Sequence, residues 1–275
     1  MAIIKPFRAL RPKSELSQLV ASRPYDVLNS DEARTEAKDN PFSFLHVTKS
    51  EIDLAPETDI HSVAVYEKAK ENLQELIKHG ILFQEDKDCY YIYQLIMNGR
   101  SQTGLVCVSS VEDYFNDVIK KHEFTRPEKE KDRIDHMRTI EAQTGNVFLA
   151  YRDVMEINAI INGWKMTNKP VYDFTATDGI QHSIWIIDRD IVVNSITQLF
   201  RSNVPATYIA DGHHRAASAA KVSKELQGSE NAKYFLTTIF PESQLAILDY
   251  NRVVKDLNGL TPEKLLALLQ DDFYI

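Results

Sequence analysis

The segment of this sequence best suited to chemistry consists of five consecutive residues, four of them polar. They follow a short apolar stretch, 206–210, and precede an alanine-rich stretch, 216–220. This pattern predicts a buried strand that ends at a glycine turn, after which a helix begins. The first N–H groups of a helix lack partners within the helix, and its dipole is positive at that end, so the segment suits an anion. The residues are Asp211, Gly212, His213, His214 and Arg215.

Anion binding explains why Arg215 lies in the first turn of the predicted helix, where its charge opposes the dipole. In the structural alternative, Asp211 caps the helix, His213 and His214 are satisfied polar residues, and Arg215 makes a surface ion pair. A helix N-terminus contributes about 0.3–2 kcal/mol and an arginine–phosphate hydrogen bond about 1.5–3 kcal/mol. Together, these two contributions are close to the binding free energy of a millimolar Kd, about 4.1 kcal/mol. Tight nucleotide binding therefore also needs a metal ion or a base pocket.

A second group of polar residues lies where one predicted helix ends and the next begins. His122 and Glu123 could supply a general base or a magnesium ligand for a substrate hydroxyl. Arg133 follows in a charged stretch. The alternative is the basic end of a helix followed by a solvent-exposed run of charges at 128–133.

His182 follows a predicted hairpin turn and precedes Trp185 by three residues. It is a candidate ligand contact, and half-buried packing in a strand is the alternative. A zinc site built from His122, His182, His213 and His214 is conceivable. Adjacent histidines tend to point apart, however, and no His-Glu-x-x-His motif occurs, so a zinc hydrolase is disfavoured.

Composition and missing motifs exclude several classes of protein. The formal net charge of −8 argues against a protein that grips the phosphate backbone of nucleic acid. Neither a P-loop nor a Gly-x-Gly-x-x-Gly fingerprint occurs. Without an apolar run of about 18 residues or a signal-peptide core, we expect a cytoplasmic protein with no membrane partner. With only two cysteines, Cys89 and Cys107, the chain has too few for a scaffold held together by disulfides. We expect both to be buried, inert thiols.

The predicted elements indicate an α+β fold with mixed sheets and packed helices. Asn98-Gly99 predicts a hairpin over 90–109, and a second hairpin is predicted over 170–187. An apolar stripe predicts a helix over 63–79. Because strands and helices do not alternate strictly, a doubly wound parallel sheet is disfavoured. Further predictions are an extended piece at 25–27, strands at 42–47, 147–151, 206–210, 234–240 and 245–248, a new strand beginning at 271–275, and helices at 111–121, 128–143 and from 261 onward.

The Asp-Gly-His-His-Arg segment resembles the phosphate-binding motif of the superfamily of chromosome-partitioning protein B and sulfiredoxin. It is most similar to the motif of the free-serine kinases, which carry the same five residues. The resemblance implies a phosphate-binding core of that type and a phosphotransferase. Such an enzyme moves a phosphoryl group from ADP or ATP, with Mg²⁺, to a small hydroxyl substrate such as free L-serine.

More of the chain resembles a bacterial family of uncharacterised conserved proteins, domain of unknown function 1015. Members are usually longer at the C-terminus, which implies that residues 1–275 are one unit at the N-terminal end of a longer chain. A division into 1–125 and 126–275 is the alternative. The resemblance rests on residues 4–12, 24–27, 121–125, 131–133, 182–185, 211–215 and 251–254.

The kinase resemblance also implies roles for individual residues. Gly212, His213 and His214 would present backbone donors to the phosphates, and Arg215 would neutralise developing charge. Asp211 would take the hydroxyl proton or hold magnesium. The implied catalytic set adds His122, Glu123, His213 and His214, and the implied nucleotide contacts add Arg133 and His182.

One part of the kinase pattern is missing. The serine kinases keep a catalytic acidic residue near the N-terminus, where this chain has Asp26 and Glu32, but 25–27 does not reproduce their acidic pair. The catalytic base is therefore unassigned. The expected partners are a nucleotide and a small molecule, and a homodimer is compatible with the sequence. The alternative function is a regulatory module that senses nucleotide or phosphate without catalysis, and a DNA-binding partition protein ranks third.

Overall fold

A mixed nine-stranded sheet forms the centre of Met1–Leu245. The computed structural model describes residues 1–226, 228–249, 251 and 253–274. The strands are β1 Ile4–Lys5, β2 Leu10–Pro12, β3 Leu82–Gln84, β4 Tyr90–Met97, β5 Arg100–Ser110, β6 Ile119–Lys120, β7 Val147–Tyr151, β8 Tyr172–Thr175, β9 Gln181–Ile187, β10 Thr207–Asp211 and β11 Tyr234–Pro241. The helices are α1 Ser17–Val20, α2 Ser30–Ala37, α3 Leu45–Thr48, α4 Val63–Lys78, α5 Val111–Phe115, α6 Pro127–Ile140, α7 Met155–Thr167, α8 Asp190–Asn203, α9 His213–Glu225 and α10 Pro262–Leu269.

The order of strands across the sheet is β6-β10-β7-β11-β5-β4-β9-β8, with β1 also paired to β5. β6 runs parallel to β10 and β11 runs parallel to β7, while the other pairs in the sheet are antiparallel. A separate two-stranded ladder joins β2 and β3. The predicted α+β class with mixed sheets is therefore confirmed. Strands from both sides of residue 125 share the large sheet.

The two predicted hairpins are confirmed. Asn98 and Gly99 both have positive φ, 52° and 77°, as a two-residue type I′ turn requires, and Met97 pairs with Arg100 across it. The second hairpin joins β8 and β9. The helix predicted from the apolar stripe at 63–79 is α4.

The core lies between the sheet and the helices packed on it. The buried face of α9 consists mainly of alanines, whose small side chains let the helix pack closely on the core. α8 contributes Ile196 and Phe200 to the same hydrophobic core. The indole N–H of Trp164 on α7 donates to the carbonyl of Ile186 at 3.0 Å. The sequence analysis does not predict α7 or α8, although Val193, Ile196 and Phe200 are buried at helical spacing on α8.

Several local predictions were wrong. Residues 42–47 do not form a strand, because the Ser43 hydroxyl accepts the Leu45 N–H and α3 begins there. The helix predicted over 111–121 ends at Phe115, since Asp117 has φ 57° and the chain re-enters the sheet as β6. Residues 25–27 form a 3₁₀ turn, 245–248 are irregular, and 271–272 form a turn where a strand was predicted.

Residues Ala246–Ile275 form a second compact unit. The helix predicted from 261 onward is α10. Thr261 caps it through its hydroxyl, which accepts the Lys264 backbone N–H at 3.3 Å, and Pro262 follows at the first helical position. Arg252, which belongs to the segment 251–254 of the family resemblance, lies outside the described residues. No helix within the described residues has both the length and the apolar character that a membrane crossing requires.

Candidate functional site

The sheet topology brings two distant loops together at one edge. β6 and β10 are parallel neighbours, with Thr207 paired to Ile119, so the loops that leave their carboxyl ends meet at the same edge of the sheet. The loop after β6 carries His122 and Glu123, and the loop after β10 is Gly212. β7 lies antiparallel on the other side of β10, so its start lies at this edge as well. The segment 211–215 and the pair 122–123 therefore share one site.

Helix α9 begins with free backbone donors. Gly212 is its N-cap residue at φ 95°, and no side chain caps it. Within the described part of the chain, no protein acceptor takes the N–H groups of Gly212, His213, His214 or Arg215, whereas the Ala216 N–H donates to the Gly212 carbonyl at 3.0 Å. Four donors at the positive end of the dipole are the arrangement that anion sites use. The alternative in which Asp211 caps the helix is wrong.

The guanidinium of Arg215 is held by neighbouring oxygens. It donates to the Asp211 carboxylate and to the Asn146 carbonyl, and it lies 3.8 Å from Asp26. Its side chain is only 14% exposed, whereas that of its partner Asp211 is 66% exposed, so the ion pair is half-buried, on the arginine side alone. A Cβ at Gly145 would come within 2.9 Å of the Arg215 side chain.

Asp211 presents its carboxylate to solvent at the edge of the sheet. Its side chain is 66% exposed, and Arg215 binds its Oδ2 atom. Asp26 is brought beside the same guanidinium, although 185 residues separate it from Asp211 in the sequence. Glu32, the other acidic candidate near the N-terminus, instead caps α2 by accepting the Asn29 N–H at 2.9 Å.

Three metal-ligating side chains converge beside the start of α9. His213 Nδ1 lies 3.3 Å from Glu123 Oε2, and His122 Nε2 lies 3.9 Å from Glu123 Oε1. The rings of His122 and His213 meet edge to face, with centroids 4.4 Å apart. The ligand atoms of the three residues all lie within 4.8 Å of one another. We call His122, Glu123 and His213 the His-Glu-His cluster.

His213 is the buried member of the cluster, with 4% of its side chain exposed. Burial lowers its pKa, which favours the neutral ring at pH 7. The backbone N–H of His122 donates to His213 Nε2 at 3.4 Å. The proton of the His213 ring is therefore assigned to Nδ1, on the side of Glu123.

His214 faces a different part of the loop. Its Nδ1 accepts the backbone N–H of Arg126 at 3.4 Å, and its backbone carbonyl accepts the Ser218 hydroxyl at 2.7 Å. The two adjacent histidines therefore point apart, as the sequence predicted.

Arg133 approaches the site from helix α6. Its guanidinium lies 3.9 Å from the centre of the Tyr25 ring and donates to Asp132 at 2.7 Å. Arg133, Tyr25, Gly145 and Arg215 border one cavity, whose volume is about 30 Å³. The enclosed part of the cavity has room for one or two water molecules. Sequence reasoning missed Tyr25, because an isolated tyrosine in a turn carries no chemical signal.

His182 does not share the site. It lies on β9, and β7, β11, β5 and β4 separate that strand from β10. At about 4.8 Å per strand, this places it roughly 24 Å away. His182 accepts or donates a 2.8 Å hydrogen bond with the Tyr93 hydroxyl and stacks on Phe174. Burial lowers its pKa.

Residues 4–275 match a family described as protein of unknown function, DUF1015. A search of curated proteins found no match, and a search of solved structures found none. The family match includes both loops of the site and brings no assigned activity with it.

Proposed function

The chain belongs to this DUF1015 family, and we propose that it is a phosphotransferase that moves a nucleotide phosphoryl group to a small hydroxyl substrate. The observation that carries the proposal is the set of four free N–H groups at the start of α9, next to an exposed carboxylate. By the resemblance of residues 211–215 to the free-serine kinases, the acceptor is free L-serine and the core is of the partition protein B/sulfiredoxin type.

Phosphate binding begins with the backbone. The N–H groups of Gly212, His213 and His214 would donate to phosphate oxygens, and Gly212 lets a ligand approach because it has no side chain. Arg215 is anchored at its Asp211 and Asn146 contacts, so it would add positive charge without first losing side-chain freedom.

Proton transfer is assigned to Asp211. In the reaction, the serine hydroxyl oxygen forms a bond to the terminal phosphorus of ATP or ADP, and the bond from that phosphorus to the bridging oxygen breaks. Asp211 accepts the hydroxyl proton, while ADP or AMP leaves with the electron pair. Such chemistry depends mainly on positioning and electrostatic stabilisation, which a short loop with one carboxylate can provide.

The donor set near the phosphates is compatible with Mg²⁺. Magnesium prefers oxygen ligands, and the Asp211 carboxylate is exposed beside the free N–H groups. When bound, Mg²⁺ would neutralise charge on the transferred phosphoryl group. Asp26 is a second carboxylate of the same corner, close to Arg215.

The test is to incubate the protein with ADP or ATP, Mg²⁺ and L-serine and to measure O-phosphoserine by mass spectrometry. We expect Asp211→Asn to lower turnover by about 10²–10⁴-fold, the usual contribution of a general base. Asparagine keeps a side-chain oxygen that can accept from Arg215, so the variant should lose only the charge of that hydrogen bond and its thermal unfolding should shift only slightly. Asp190→Asn is the matched control, since Asp190 is also exposed and lies at the start of α8, outside the site.

Undiminished turnover in Asp211→Asn would remove Asp211 from the mechanism. Nucleotide binding with no phosphorylated product for any small hydroxyl acceptor would favour the non-catalytic nucleotide-sensing module instead.

A further inference from the structure

We infer that the His-Glu-His cluster is a binding site for a divalent first-row transition metal of the Zn²⁺ type, separate from the magnesium that would accompany a nucleotide. His122, Glu123 and His213 would be its three protein ligands. The inference does not depend on phosphoryl transfer, because it rests only on the side chains that β6 and β10 bring together.

The separations between the ligand atoms approach those of a tetrahedral site. Ligands at about 2.0–2.1 Å from Zn²⁺ in tetrahedral geometry lie roughly 3.4 Å from each other. His213 Nδ1 lies 3.3 Å from Glu123 Oε2, and His122 Nε2 lies 3.9 Å from Glu123 Oε1. With one ligand atom taken from each residue, the three atoms lie within 4.8 Å of one another. His122 and Glu123 are 62% and 60% exposed, so small rotations of these two side chains can close the remaining gap around the fixed His213.

Glu123 lies at ion-pair distance from both histidines, without the geometry of a side-chain hydrogen bond. In the described part of the chain, no side-chain hydrogen bond joins any two of them, and the one hydrogen bond within the cluster is from the His122 backbone N–H to His213. The cluster thus presents two imidazoles and a carboxylate toward a common point. Metal binding at His213 Nδ1 moves the ring proton to Nε2, which gives up the 3.4 Å hydrogen bond from the His122 backbone N–H.

The donor types select the class of metal. Imidazole with carboxylate suits Zn²⁺, Co²⁺, Ni²⁺ and Fe²⁺, whereas Mg²⁺ and Ca²⁺ prefer oxygen ligands alone. Three protein ligands leave one position open, which is the arrangement of catalytic rather than structural zinc sites. With one carboxylate and two neutral imidazoles, the bound site carries a net charge of about +1, so a water or an anionic oxygen would fill the open position.

The experiment uses the full chain without a histidine tag. Calorimetry with Zn²⁺ measures stoichiometry and affinity without nucleotide, and Co²⁺ absorption in the visible range reports coordination by the protein. We expect one equivalent of Zn²⁺ per chain and a tetrahedral Co²⁺ spectrum. Glu123→Gln and His122→Ala should each weaken Zn²⁺ binding about tenfold or more. Both residues are exposed, so neither variant endangers folding.

His79→Ala is the matched control. His79 forms an exposed pair with Glu75, with 2.9 Å between His79 Nε2 and Glu75 Oε2, but no third ligand joins them among the described residues. This variant should bind Zn²⁺ with unchanged affinity. Substoichiometric binding would overturn the inference, and so would equal affinity in Glu123→Gln and His79→Ala. Because no nucleotide or serine is present, either result leaves the phosphotransferase proposal to its own test.

Discussion

Replacing Gly212 by alanine tests whether the guanidinium of Arg215 packs directly against the turn before α9. Gly212 has φ 95°, where an L side chain costs about 1–2 kcal/mol. The added Cβ would also lie 3.2 Å from Arg215 Cζ and Nε and 3.4 Å from the Cα of Val147. Since the Val147 backbone is fixed in the sheet, the guanidinium must move and its charged hydrogen bonds weaken, at a cost of roughly 1–2 kcal/mol. We expect a total loss of about 2–4 kcal/mol in the free energy of unfolding.

Two other glycines separate the contributions. Gly179 has φ 82° with no atom within 4 Å of the added Cβ, so Gly179→Ala should show the backbone cost alone, about 1–2 kcal/mol. Gly163 lies inside α7 with open space around it, so Gly163→Ala should stabilise the protein by about 0.5–1 kcal/mol. Urea unfolding followed by circular dichroism measures all three. If Gly212→Ala is no more destabilising than Gly179→Ala, the guanidinium is not held against residue 212, and the reasoning fails.

Two further predictions concern buried groups. Burial lowers the pKa of His136 to about 4 from 6.5, so the folded state keeps it neutral and the unfolded state binds a proton first as the pH falls. The contribution of the neutral His136 ring to the free energy of unfolding is therefore fully present above pH 6.5 and is lost as the pH falls from 6.5 to 4. Relative to His136→Gln, the wild type should lose about 2 kcal/mol of unfolding free energy between pH 7 and pH 5, and an equal pH dependence in both proteins would contradict this. Burial raises the pKa of Cys89 to about 11 and that of Cys107 to about 12, so neither thiol should react with Ellman's reagent at pH 8 until urea unfolds the chain; rapid labelling of the folded protein would refute the burial of these thiols.

Local signals in the sequence predicted the features that depend on neighbouring residues. Asn98-Gly99 specifies its hairpin because both residues adopt positive φ readily. The apolar stripe of 63–79 specifies α4, and the glycine after an apolar run specifies the turn from β10 into α9. The prediction failed where the chain broke a local pattern, as at Asp117, whose left-handed conformation ends α5 early.

The membership of the site could be predicted only in part. Asp211 to Arg215 are contiguous, so their shared location follows from the sequence. His122 and His213 are 91 residues apart, and they meet because β6 pairs in parallel with β10. Nothing local to either segment encodes that pairing. The same holds for Asp26, which reaches Arg215 from the N-terminal region.

The amino-acid sequence by itself determined that this chain has an α+β fold and that a glycine turn with an Asp-Gly-His-His-Arg segment opens a slim helix. These properties follow from backbone sterics and side-chain periodicity over a few residues. Only the tertiary structure decided which distant groups lie beside the segment 211–215. It places Glu123 and Asp26 there and leaves His182 several strands away. The physical reason is that strand order arises from the packing of the whole core, whose contacts link residues far apart along the chain.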